Sequence, residues 1–113
     1  MKNKSRQAKG RYLQNIVKDK IVKVFNLHPG DIRTSNTGEN GEDVKLLSLT
    51  AKRAFSYSIE CKNSEQLIGL YKHFRQAKKH NHREPLLFIK KNREPALAII
   101  TLDHFFELIE KND

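Results

Sequence analysis

The stretch FSYSIECK, residues 55–62, decides the fold, because its alternation fixes which side chains face a core and which face a site. Side chains of a strand point to opposite faces in turn, so Tyr57, Ile59 and Cys61 share one face and Ser58, Glu60 and Lys62 the other. Cys61 then points inward with Ile59 and reads as a small buried hydrophobe rather than a reactive thiol. Glu60 and Lys62 side by side would ordinarily be a solvated pair.

The segment before it sharpens that reading. Val44 to Leu49 forms a second alternating run, with Asp43, Lys45 and Leu47 on the face opposite Val44 and Leu46. If the two strands pair antiparallel, Asp43 at the start of one becomes a neighbour of Glu60 near the end of the other. Adjacent carboxylates repel unless something positive lies between them. A hard divalent cation such as Mg²⁺ or Mn²⁺ resolves the conflict, since it prefers oxygen ligands and takes one or two carboxylates with water and substrate phosphate. Lys62, on the same face, would then neutralise charge developing at phosphorus.

Further out, elements alternate between helix and strand. Leu13, Ile16, Val17, Ile21, Val24 and Phe25 recur at helical spacing from about Lys9, and Pro29-Gly30 closes that helix. Residues 1–8 are polar and basic and read as a mobile arm ahead of one domain spanning 9–113, with Lys2, Lys4 and Arg6 free to touch phosphates. Asp31 to Ser35 reads as a short extended piece before the loop NTGENGED, residues 36–43, and Ser48 to Ala54 as a helical turn or wide connection. Asn63 or Ser64 can cap a helix to about Lys79, striped by Leu67, Leu70, Tyr71, Phe74 and Ala77. Leu86–Lys90 and Ala96–Thr101 read as two strands, and Leu102–Lys111 as a last helix whose Leu102, Phe105, Phe106 and Ile109 form a core stripe. The expected fold class is α/β, a single domain with a mixed central sheet flanked by helices.

Charge narrows the partners. With 22 Lys and Arg against 13 Asp and Glu in 113 residues, the formal net charge is +9, a surface that attracts polyanions and displaces counterions from phosphates. DNA is the leading partner class. One cysteine excludes an internal disulfide and a cysteine-rich zinc site, and no apolar run reaches membrane-spanning length. These features lead us to expect a soluble, cytoplasmic protein with no membrane partner. No glycine-rich nucleotide loop or Gly-x-Ser-x-Gly elbow is present. The literal tripeptide His80-Asn81-His82 does not make an HNH nuclease, whose residues are dispersed over a ββα unit. His73 and His80 share a helix face but have no third ligand for zinc, and read as solvent-facing or as phosphate contacts.

Taken together, Lys9-Gly10, the glycine loop from Ser35 to Asp43, GEDV at 41–44, IECK at 59–62 and a following helix carrying Gln76 resemble the PD-(D/E)xK nuclease superfamily. The nearest likeness is to small phage-type endonucleases and archaeal-type Holliday junction resolvases, over about Lys9 to Phe106. The resemblance implies a restriction-endonuclease-like core in αβββαβ order, Asp43 and Glu60 as metal ligands, Lys62 as catalytic lysine and the Cys61 backbone carbonyl as a further ligand. It also implies a phage- or prophage-type protein acting on DNA in the host cytoplasm, on branched or junction DNA and as a homodimer. Gln76 matches a glutamine that many members turn toward the site, while His80 stands where one branch has tyrosine. Ser35 resembles a resolvase loop serine, and it also suits a turn cap.

Two positions depart from the pattern. Glu42 replaces a frequent proline, and Gln14 stands where resolvases carry a glutamate. An amide oxygen can face a cation but adds no charge, which favours one metal ion over two, with Glu39 as a substitute carboxylate. Candidate DNA contacts are Lys9, Arg11, Arg33, Ser35, Lys45, Lys72, Arg75, Lys78 and Lys79. The alternative is a catalytically inactive nucleic-acid-binding module that retains the nuclease fold.

Overall fold

In a computed structural model that describes residues 2–112, the side chains of Lys2 and Asn3 excepted, the FSYSIECK stretch becomes the central strand β3 (Tyr57–Asn63). Strands β1 (Ile32–Thr34), β2 (Val44–Leu46), β3, β4 (Glu84–Lys90) and β5 (Leu97–Ile99) lie side by side in chain order. All neighbouring strands are antiparallel except β3 and β4, which run parallel. A parallel step needs a long crossover, and α3 (Leu70–His80) supplies it.

The alternation of β3 determines what covers each face. Ile59 is fully buried in a cluster with Leu13, Val17 and Ile21 of α1 (Lys2–Phe25) and with Ile32, Val44 and Leu46 of the sheet. Tyr57 and Cys61 pack against the same cluster. Burying a side chain such as Leu13 or Ile59 contributes roughly 1.5–3 kcal/mol, so this seam carries much of the driving force. Ser58, on the other face, is also fully buried, and its hydroxyl donates to the carbonyl of Ala77 in α3. The Ser58–Glu60 face is therefore roofed by a helix rather than open to solvent. Next to it, Leu86 and Leu87 of β4 are both buried, as a strand covered on two faces requires.

Three expectations change. The first helix begins at Lys2, so residues 2–8 extend α1 instead of forming a separate arm; Met1 lies outside the described residues. Lys, Gln, Arg and Ala favour helix, and no proline interrupts them. The crossover helix begins at Leu70 rather than near Ser64, because Gly69 sits at φ +68°, outside the helical region. Asn63 instead donates its side-chain amide to the Lys9 carbonyl at 2.8 Å, tying the end of β3 to α1. Finally, the apolar stripe of α4 (Leu102–Lys111) is not a core stripe: Leu102, Phe105, Phe106 and Ile109 are exposed, and His104 is the buried residue of that helix. A short α2 (Leu49–Ala54), capped by the Ser48 hydroxyl, joins β2 to β3. Among the described residues, no helix is long and apolar enough to cross a membrane.

Candidate active site

Antiparallel pairing of β2 with β3 sets Val44 opposite Ile59, which brings Asp43 across from Glu60 one step along. The approach is fixed by backbone. The Asp43 N–H donates to the Ile59 carbonyl at 3.0 Å, and Asp43 Oδ2 accepts from the Cys61 N–H at 2.8 Å. Asp43 thus extends the ladder just before β2 begins, leaving its second carboxylate oxygen free of these bonds. Register and turn geometry, more than any side-chain contact, hold the two acids together.

Their electrostatics record the crowding. Burial pushes the Asp43 carboxyl up, against the pull of the Cys61 hydrogen bond and of the His80, Lys45 and Lys62 charges. Glu60 is pushed up to about 8, first by burial and then by the Asp43 and Glu42 charges, while Lys62 pulls it down. Lys62 is the cation on the Glu60 face of β3, and its charge reaches both acids although no ion pair within 4.0 Å forms. Burial also drives the Cys61 thiol well above its usual range, which removes it as a nucleophile and fits its packing in the core.

Two cavities open on this corner. One, of about 180 Å³, lies between α1 and the 35–39 loop and is lined by Gln14, Arg11, Ser35, Glu39 and Asp43. The other, of about 580 Å³, is lined by Arg6, Lys9, Cys61, Lys62 and His73 among others. Gly10 borders both, and a Cβ added there would meet nothing within 4 Å. The Lys-Gly step thus leaves the helix surface open between the two cavities.

The expected residues therefore separate into groups. Asp43, Glu60, Cys61 and Lys62 are brought together at one sheet position, and Gln14 joins Asp43 in the smaller cavity. Gln76 is half-buried on α3 and makes no hydrogen bond to these groups. Lys72, Arg75, Lys78 and Lys79 form an exposed basic face on that helix. Arg33 and Lys45 are committed elsewhere: Arg33 grips Glu39 through two hydrogen bonds of 3.0 and 2.7 Å, and Lys45 donates to the Asn40 carbonyl at 2.9 Å. Held first by Arg33, Glu39 is lowered to about 2, so it clamps its loop rather than serving as a spare metal ligand.

Two contributors were passed over in the sequence. His80 is exposed, as expected for a solvent-facing residue or phosphate contact, and it also places Nε2 3.5 Å from Glu60 Oε1. Its spacing four residues after Gln76 put it on the same helix face, and that was the available signal. Glu42 accepts from Asn81 and Arg83 through Oε1, both at 2.7 Å, and so ties the turn after α3 to the start of β2. No local pattern joins residues so far apart in the chain.

Oxygen acceptors accumulate here without donors. Gln14 Oε1, Glu42 Oε2 and Glu60 Oε1 are buried and have no hydrogen-bond partner in the protein. Buried acceptors ordinarily find a partner, so unpartnered oxygens on Glu60, on Glu42 beside Asp43 in the chain, and on Gln14 in the Asp43 cavity are acceptors that a cation or water could satisfy. The set is all oxygen and partly anionic, which fits Mg²⁺ or Mn²⁺ better than a softer metal. Comparison with protein-family models, curated proteins and solved structures gave no match for this chain.

Proposed function

We propose that the chain is a divalent-metal-dependent DNA endonuclease that hydrolyses phosphodiester bonds. The observation that carries this reading is the pairing that sets Asp43 beside Glu60, with Lys62 on the Glu60 face of the strand. A buried Asp43 whose charge raises the proton affinity of Glu60, a lysine charge felt by both acids and a rim of basic residues form an arrangement suited to a metal ion and a phosphate. Asp43 and Glu60 would hold the cation, with the Cys61 carbonyl and the Gln14 amide oxygen as neighbouring candidates, and when bound it would supply Lewis-acid charge to the phosphate.

The remaining work falls to the chain. Lys62 stabilises the negative charge that builds on the non-bridging oxygens as water adds to phosphorus and the ester P–O bond breaks. The attacking water gives up a proton, for which neutral His80, 3.5 Å from Glu60, is our candidate acceptor; the leaving alkoxide is protonated by solvent. Arg6, Lys9 and the basic face of α3 hold the strand by its phosphates.

Branched DNA is the substrate we favour, cut by two copies. A groove of about 460 Å³ is lined by Leu70, Tyr71, Phe74, Ile99 and Leu102, and Phe105 and Phe106 of the same α4 that begins at Leu102 are exposed. With edge strand β5 beside it, this face suits a second copy of the chain.

A catalytically inactive DNA-binding module is the second reading, and the neutral Gln14 in the Asp43 cavity favours it. Labelled linear, nicked and four-way DNA incubated with Mg²⁺ or Mn²⁺ separates the two. The nuclease reading expects metal-dependent cutting that falls on the order of 100-fold or more in Asp43→Ala, Glu60→Ala and Lys62→Ala while binding persists. Salt-sensitive binding without any product favours the inactive module.

A further inference from the structure

A second cluster of ligand atoms lies away from the first site, where α4 meets the beginnings of β3 and β4. Glu84, His104 and Glu107 each offer one ligand atom, all within 4.8 Å of one another. His104 Nδ1 lies 3.8 Å from Glu84 Oε1 and 3.6 Å from Glu107 Oε1. His104 is only 9% exposed, yet its Nδ1 makes no hydrogen bond, both carboxylate distances being too long for one. Its other nitrogen, Nε2, is 2.6 Å from the Tyr57 hydroxyl. From these atoms we infer a second metal site, formed by Glu84, His104 and Glu107, that takes a divalent transition-metal ion, Zn²⁺ in the first place.

Geometry separates this from an ordinary ion pair. A protonated histidine bonded to a carboxylate draws its oxygen to about 2.7–2.9 Å. Two ligands about 2.1 Å from one tetrahedral zinc stand about 3.4 Å apart, much nearer to what is found. With His104 Nδ1 3.6 Å from Glu107 Oε1 and 3.8 Å from Glu84 Oε1, and one ligand atom of each residue within 4.8 Å of the others, small side-chain adjustment brings the three within reach of one zinc ion.

The surroundings supply what such a ligand needs. In the tautomer whose Nε2–H donates to the Tyr57 oxygen, Nδ1 keeps its lone pair for a metal ion, and the Tyr57 contact at 2.6 Å is the outer contact that orients a metal-binding histidine. One imidazole with two carboxylates is a zinc donor set, with a fourth position left to solvent on the exposed Glu107 side. Its effect would be to pin α4, whose buried residue is His104, onto the sheet.

The test uses the full chain carrying Asp43→Ala and Glu60→Ala, so that the first site cannot bind the ion. Zn²⁺ titrated by calorimetry is expected to bind one equivalent, and Co²⁺ to give the visible absorption of a tetrahedral site. Glu107→Gln, a mostly exposed change that leaves the fold intact, should weaken binding at least 10-fold, and Tyr57→Phe by 10–100-fold. Zn²⁺ should raise the melting temperature and slow amide exchange in α4, and both effects should vanish in His104→Gln. Absence of stoichiometric Zn²⁺ binding, or equal binding by Glu107→Gln and His104→Gln, overturns the site and leaves the nuclease proposal untouched.

Discussion

Glu60 is the residue on which the proposed chemistry turns, because its environment opposes its charge. Burial and the Asp43 and Glu42 charges keep its proton on to about pH 8 in the folded chain, against 4.5 for an ordinary glutamate. Between those values the folded state binds more protons than the unfolded state, so stability falls as pH rises. The slope is at most about 1.4 kcal/mol per pH unit. The metal-free chain should therefore show urea midpoints that decline from pH 5 to 8, Glu60→Gln should flatten that decline, and saturating Mg²⁺ should oppose it. A wild-type profile flat across that range would contradict the assigned environment. The acids themselves were legible, since period-two alternation and an antiparallel pairing were enough to set Asp43 beside Glu60. His80 and the Glu42–Arg83 contact were not, because they depend on where the end of α3 comes to rest against the sheet.

At the scale of elements, alternation and punctuation in the sequence located the strands well and the helix limits less well. The inward face of β3 follows from Tyr57, Ile59 and Cys61, but the cover over Ser58 comes from α3, which no local pattern specifies. Gly69 delays α3 by adopting a positive φ that a helical stripe does not reveal. The stripe of α4 gives the right element and the wrong surroundings, since periodicity reports an apolar face without saying whether anything packs on it. Gly10 offers a test on α1. A Cβ there meets nothing, so Gly10→Ala should stabilise the chain by about 1 kcal/mol, read by urea denaturation. If DNA passes across the open helix surface between the two cavities, the same change should weaken DNA binding several-fold; unchanged binding would place the DNA elsewhere.

Across the whole molecule, charge and apolar surface point to two different partners. A formal charge of +9 suits DNA, and binding should weaken steeply with salt as phosphate counterions are released. The groove between α3 and β5 and the exposed face of α4 suit a second copy. Sedimentation should show a dimer that Phe105→Glu with Phe106→Glu turns into a folded monomer; a wild-type monomer at all concentrations would remove that role. In the sequence, DNA was expected from charge and from the family resemblance, and a homodimer from the resemblance alone; an interface surface depends on which side chains are left uncovered after folding. The most direct measurement is strand cleavage of a labelled four-way junction by wild-type chain and by Glu60→Gln, with and without Mg²⁺ or Mn²⁺. Product from the wild type only when metal is present, reduced on the order of 100-fold or more in the variant while both bind the junction, is the result expected. Absence of product with either metal, or equal cutting by the two proteins, would contradict the assignment of Asp43, Glu60 and Lys62 to catalysis.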